Sequence, residues 1–151
     1  MPWQFSPGRP MRPYEHRHVI ALEETNLVGN VYFANHIRWQ GRCREMFVRQ
    51  YAPDVLEELQ NGLKLVTMRV TCEYFDELYA FDEILMRMYA RALEPGRVTM
   101  SFDYFRIQGS AEQLVAKGEQ RIASMRHTEG GPVAVPLPTQ LHEALLRFRG
   151  E

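Results

Sequence analysis

Residues Glu23–Tyr51, EETNLVGNVYFANHIRWQGRCREMFVRQY, run from a polar turn into one long helix that is apolar on much of its circumference. The helix is expected to begin near Ala34 or Asn35. Trp39, Cys43, Met46 and Phe47 recur at helical spacing, and Ile37, Gly41, Arg44 and Val48 form a second stripe beside them. Two apolar stripes on one helix call for packing on more than one side, which a curled sheet provides. Pro53 and Asp54 end this helix, and VLEELQNG reads as a short second one closed by Asn61 and Gly62. Upstream, YEHRHVIAL (14–22) suits a strand. Downstream, LKLVTMRVTCEYF (63–75), FDEILMRMYARAL (81–93), RVTMSFDYFRIQ (97–108) and EQLVAKGEQRIASMR (112–126) are rich in β-branched and aromatic residues. DELYAFDE, EPGR and QGSAE are the turns between them. The segment from Thr128 reads as a Pro/Gly-rich linker, then an amphipathic helix with Leu141, Leu145 and Phe148 on one face. Strand, long helix and four antiparallel strands make an α+β architecture in which one sheet wraps one helix.

The chain of 151 residues has the size of one domain. Residues 1–13 carry Pro2, Pro7, Pro10 and Pro13 and read as a flexible leader, with a single domain over 14–151. The formal net charge of −1 lacks the basic footprint of a nucleic-acid binder. No run approaches the ~20 apolar residues that span a bilayer, and the N-terminal stretch lacks a secretory layout, so a cytoplasmic location is expected. Cys43 and Cys72 have no CxxC spacing, and His16 and His18, on one strand face, lack a third ligand. Neither a metal nor another cofactor is expected. Lys64 and Lys117 are the only lysines, and the arginines that dominate the positive charge suit phosphate recognition.

The stretch Glu24 to His36, ETNLVGNVYFANH, resembles the active-site segment D-x-x-G-x-V-Y-x-A-N-Y of the 4-hydroxybenzoyl-CoA thioesterase family. The resemblance continues through Trp39 and Arg42-Cys43-Arg44-Glu45-Met46-Phe47, then Cys72-Glu73-Tyr74-Phe75, Asp82-Glu83-Ile84-Leu85 and Ala116 to Ile122. It implies the hotdog fold, an acyl-thioester hydrolase activity, and assembly as a homotetramer, a dimer of dimers. Two positions depart from the family. Asn26 stands where most members place a catalytic aspartate, and Gly41 where a related subclass has a helix glutamate. An amide cannot take a proton from water at neutral pH, so base catalysis by that route is closed.

Together with Arg44, those departures resemble the thioesterases that accompany enediyne polyketide synthases. That resemblance implies Asn26 and Arg44 as functional residues. It also implies release of a β-ketoacyl polyene from an acyl carrier protein domain, with decarboxylation to a methyl ketone. Unpaired N–H groups at the helix start, near Phe33 to Asn35, carry the positive end of the dipole, and the resemblance implies the Phe33 N–H as the oxyanion donor. Asn26 would hold the attacking water or the carbonyl, and Arg44 a β-keto oxygen or the carboxylate released. Gly29, Tyr32, Asn35, His36, Gly41 and Glu73 are expected to contact substrate, with Gly41 leaving room for a long chain. Asn26 as a turn cap, Arg44 as a solvated helix residue and Cys43 as core are the structural alternatives. A general acyl-CoA thioesterase and a non-catalytic acyl-binding module are the functional ones.

Overall fold

The structure, a computed structural model, describes residues 12–150. Most of the leader expected at residues 1–13 therefore lies outside the described residues. Strand β1 (Tyr14–Val19) leads through a 3₁₀ turn, Leu22–Glu24, to α1 (Ala34–Tyr51) and α2 (Asp54–Gln60). Four long strands follow: β2 (Leu63–Tyr74), β3 (Glu83–Leu93), β4 (Arg97–Gln108) and β5 (Ala111–Thr128). The short β6 (Gly131–Ala134) and α3 (Thr139–Arg147) complete the chain. All pairings between these strands are antiparallel, in the order β1-β3-β4-β5-β2, with β6 on the far end of β5. The sheet curls round α1, and the expected α+β hotdog arrangement is what forms.

Local chemistry sets the boundaries. The last backbone bond of α1 runs from the Ala52 N–H to the Val48 carbonyl, and Pro53 then has no N–H to continue it. Gly62, at φ +97, turns the chain from α2 into β2. Gly109–Ser110 makes a two-residue hairpin between β4 and β5, with Gly109 at φ +61. One segment differs from the sequence reading: residues 131–134, expected as linker, form β6. An edge position tolerates Pro132, because its missing N–H costs no ladder bond when it faces away from the sheet.

The core lies between α1 and the concave face of the sheet. Trp39, Cys43 and Phe47 are almost wholly buried against Met86, Met88, Met100, Phe102 and Tyr104. Each such side chain contributes about 1.5–3 kcal/mol on leaving water. The face expected on α3 closes one end, where Phe148 packs edge-on to Tyr14 and Phe47 at ring centroid distances of 6.2 and 5.2 Å. Irregularities at Thr67/Arg69, Ala90/Ala92 and Tyr104/Phe105 bend the strands, which lets the sheet wrap the helix. Among the described residues, no helix is long and apolar enough to cross a membrane.

The helix and the sheet come into close contact at Gly118. The Gln40 amide is fully buried and donates to the Thr71 carbonyl at 3.0 Å. A Cβ at Gly118 would fall 2.0 Å from that amide nitrogen and 2.7 Å from the Thr71 oxygen. Because the Thr71 oxygen is backbone, it cannot step aside. Gly118→Ala should therefore cost about 1–3 kcal/mol of stability by overpacking, read as a lowered urea midpoint with unchanged slope.

Candidate active site

The polar turn before α1 is held by Glu24. Its carboxylate accepts from the Trp39 indole N–H at 2.5 Å and from the Ala21 backbone N–H at 2.9 Å. Its backbone carbonyl accepts from the Asn35 side-chain amide at 2.7 Å and from the Tyr32 N–H at 3.0 Å. His18 lies 3.8 Å from the same carboxylate, and burial lowers its pKa, with Glu24 opposing. Glu24 thus ties the loop, β1 and the first two turns of α1 together. The loop between is tight: the Asn26 N–H donates to the Asn30 carbonyl at 2.8 Å, and Gly29 sits at φ +94, where only glycine is unstrained.

Asn26 is exposed at the tip of this loop, and its Oδ1 accepts from the Val28 N–H at 2.9 Å. That bond is the turn cap expected as an alternative. It also identifies which end of the amide is free: among the described residues Nδ2 has no partner, so Asn26 offers a donor outward.

Beside the loop, the start of α1 opens into a cleft of about 390 Å³ lined by Asn30, Phe33, His36, Tyr74, Phe75 and Glu77, among others. Among the described residues the N–H of Phe33 has no hydrogen-bond partner. Its carbonyl accepts from the Tyr74 hydroxyl at 2.7 Å, which pins the helix start to β2. His36 is 3% exposed, with Trp39, Tyr74 and Tyr104 ring centroids at 4.9, 4.7 and 5.6 Å. The Tyr104 hydroxyl donates to the His36 backbone carbonyl at 2.7 Å. Burial drops the imidazole pKa to about 4, with the Phe33 carbonyl opposing, so the ring is neutral at pH 7. Neither ring nitrogen has a partner of acceptable geometry.

Beyond the cleft runs a flank of α1 formed by Phe33, Ile37, Gly41 and Arg44. Phe33 and Ile37 are exposed apolar residues, and a Cβ at Gly41 would meet nothing within 4 Å. The space expected at Gly41 is present. Arg44 is half-buried and donates to Gln120 at 3.2 Å; burial lowers its pKa, with Glu45 opposing, and it stays a cation at neutral pH. Arg44 lies eleven residues past Phe33, about 16 Å along the helix axis. The structure therefore does not bring Arg44 into the cleft at Phe33 within one chain.

Of the other expected residues, Tyr32 is half exposed next to Phe33, with ring centroids 4.7 Å apart, and Asn35 is buried as a strut to Glu24. Glu73 is not brought to the cleft. It lies on the outer face of β2, in a charged groove with Arg69, Asp103 and Lys117, because neighbouring residues of a strand face opposite sides. Burial pushes the Cys43 thiol up to about 12, which fits a core role. Sequence reasoning missed Glu24, Gln40, Tyr104 and Gln120. Only the i, i+4 spacing of His36, Gln40 and Arg44 along α1 could have marked part of that set.

The model of the thioesterase-like superfamily matches residues 20–145. A 1,4-dihydroxy-2-naphthoyl-CoA hydrolase from Thermosynechococcus vestitus is 23% identical over 136 residues, 89% of this chain and 91% of that protein. The dynemicin thioesterase, whose crystal structures show induced-fit and allosteric effects upon polyene binding, superposes with a TM-score of 0.89. It is 44% identical, over 93% of this chain and 99% of that one. A 4-hydroxybenzoyl-CoA thioesterase mutant complexed with 4-hydroxybenzoyl-CoA shares the fold, with a TM-score of 0.77 and 14% identity over 89% and 99% of the two chains.

The buried imidazole should make stability fall in acid. In the unfolded chain His36 takes a proton near pH 6.5, and in the fold only near 4. Its contribution is complete above about pH 6.5 and is lost as pH falls towards 4, the loss reaching about 2 kcal/mol at pH 5. Urea titrations at pH 7 and pH 5 should show that loss, and His36→Phe should reduce it.

Proposed function

The chain belongs to the thioesterase-like superfamily as an acyl-thioester hydrolase, and we propose that it releases a β-ketoacyl polyene from the acyl carrier domain of an enediyne polyketide synthase. The observation that carries this reading is the donor character of the site. Asn26, which the resemblance sets at the position of the family's usual base, has among the described residues an Nδ2 without a partner, and beside the cleft the Phe33 N–H is likewise unpaired. Both can polarise a thioester carbonyl, and neither can remove a proton. A thioester has a good leaving group, so water positioned at a polarised carbonyl suffices. The product β-keto acid then loses CO₂ to give the methyl ketone.

Arg44 takes a different part in this reading from the one expected. A β-keto oxygen lies two carbons from the thioester, too close to Phe33 for Arg44 of the same chain to reach. Arg44 instead meets the acyl chain farther along the flank of α1, past Ile37 and the open space at Gly41. The distance favours a long chain over a compact aromatic acyl group. The likeness to the dynemicin thioesterase, whose structures concern polyene binding, supports the same choice.

A second copy closes the site in this proposal. The edge of β2 and the exposed Phe33, Ile37, Tyr74 and Phe75 form an apolar margin that a homotetramer built from dimers would cover. Sedimentation at micromolar concentration is expected to give a tetramer, and a monomer alone would refute this assembly.

Hydrolysis of matched β-ketoacyl and saturated thioesters, on CoA and on carrier protein, tests the function. The carrier-bound long polyene should be preferred. Asn26→Asp should lower kcat at least tenfold, because it exchanges a donor for an acceptor while leaving the Val28 bond intact. Activation by that change would restore the aspartate mechanism and overturn the account. Arg44→Ala should cost about ten- to a hundredfold on long chains and little on short ones.

A further inference from the structure

We propose that His36, as a neutral imidazole, donates a ring N–H to the thioester carbonyl oxygen beside the Phe33 N–H, forming a second arm of the oxyanion site. This rests on the reading of the cleft as the thioester site. Three observations lead to it. The side chain is 3% exposed yet lines the cleft, and among the described residues neither ring nitrogen makes a hydrogen bond of good geometry, the nearby Phe33 carbonyl only opposing the drop in its pKa. A buried polar group without a partner is costly, and a site that retains one fits a ligand that supplies the missing bond. The ring is also fixed in place. Trp39, Tyr74 and Tyr104 surround it, and the Tyr104 hydroxyl holds its backbone carbonyl.

The other side-chain donors at the cleft are engaged, and the Asn30 Oδ1, which also lacks a partner among the described residues, can only accept. The Tyr74 hydroxyl is spent on the Phe33 carbonyl. Asp76 accepts from Arg106 and Gln113, both at 3.0 Å. The Glu77 carboxylate accepts from the Tyr79 hydroxyl at 2.8 Å and from the Asn30 amide at 3.3 Å. Among the described residues, His36 thus keeps a donor and an acceptor nitrogen at this cleft without a well-formed bond.

A donor role fits the ring better than a base role. Trp39, Tyr74 and Tyr104 enclose the ring, so taking a proton from water, which would charge it, is opposed by burial. A neutral ring can still donate one hydrogen bond. As the carbonyl oxygen gains negative charge that bond strengthens, and no proton changes hands.

The test compares two variants. His36→Phe keeps the aromatic bulk but has no donor, and His36→Gln keeps an N–H without basicity. Loss of a single oxyanion donor predicts a fall of about 10²-fold in kcat for the Phe variant, with KM little changed. The Gln variant should stay within about tenfold of the parent, and thermal melting confirms that both fold. Equal large losses in both variants, or no loss in the Phe variant, would overturn the proposal.

A second measurement separates this inference from the functional reading. A non-hydrolysable ketone analogue of a β-ketoacyl pantetheine, with CH2 in place of the thioester sulfur so that the carbonyl oxygen is kept, is titrated into ¹⁵N-histidine-labelled parent protein. A shifted His36 ring N–H signal at saturation supports the contact even if no thioester is turned over. An unmoved signal at saturation overturns it, whatever the activity.

Discussion

The architecture depends on how deeply α1 sits in the sheet, and that depth is set where Gln40 meets Gly118. At that point the helix comes so near the strands that no side chain fits between them, and a single amide bonds the Thr71 backbone. Everything on either side of the contact follows from it. Towards the start of the helix, the same depth brings Tyr74 within reach of the Phe33 carbonyl and Tyr104 within reach of the His36 carbonyl. Towards its end, it buries Cys43 and Phe47 and brings Arg44 to Gln120. A helix held by its side chains alone would have a softer fit. Hydrogen bonds to backbone carbonyls at its start and at Gln40 give it one position.

The elements were legible because their periodicities are plain. The stripe of Trp39, Cys43, Met46 and Phe47 marks a helix, Pro53 stops it, and Leu141, Leu145 and Phe148 mark the closing helix. Strand β6 was not legible, since Gly131 and Pro132 look like linker in any context that lacks the free end of β5. The candidate site was only partly visible for a related reason. The stretch around Asn26 and Phe33 is local in sequence, so a motif carries it. The partners of His36 come from β2 and β4, tens of residues away, and no local pattern announces that Tyr74 and Tyr104 will enclose it. Glu73 shows the converse limit. It adjoins Tyr74 in sequence, but the strand's pleat sends it to the opposite face.

Two kinds of group do the structural and the chemical work here, and they are interleaved. Glu24 is a carboxylate close to the site that is fully occupied in holding Trp39, Ala21 and the loop. It shows why counting acidic residues near a cleft misleads: a carboxylate bonded to two N–H donors is an anchor. The groups left free are donors at the helix start, where geometry leaves N–H groups unpaired and the dipole favours negative charge. The site thus has its polarity written into the backbone.

The last turn of the chain adds a feature of another kind. Strand β1 pairs with β3 from Glu83 to Met88, and just beyond it Ala90 exchanges backbone bonds with Phe148 and Gly150. Arg12 also lies over the Phe148 ring, at 4.8 Å. The earliest and latest described segments therefore sit side by side on one strand, while the loops lie elsewhere. On a ribosome β1 is available to β3 as soon as β3 emerges, but the Ala90 end of that edge is sealed only after Phe148 and Gly150 have been made. Such far-separated contacts make closure slow, with the Ala90 end of β3 left open in the meantime. The same adjacency makes the fold nearly circular, so a short bridge could join these segments and new ends could be cut at the Gly109–Ser110 hairpin.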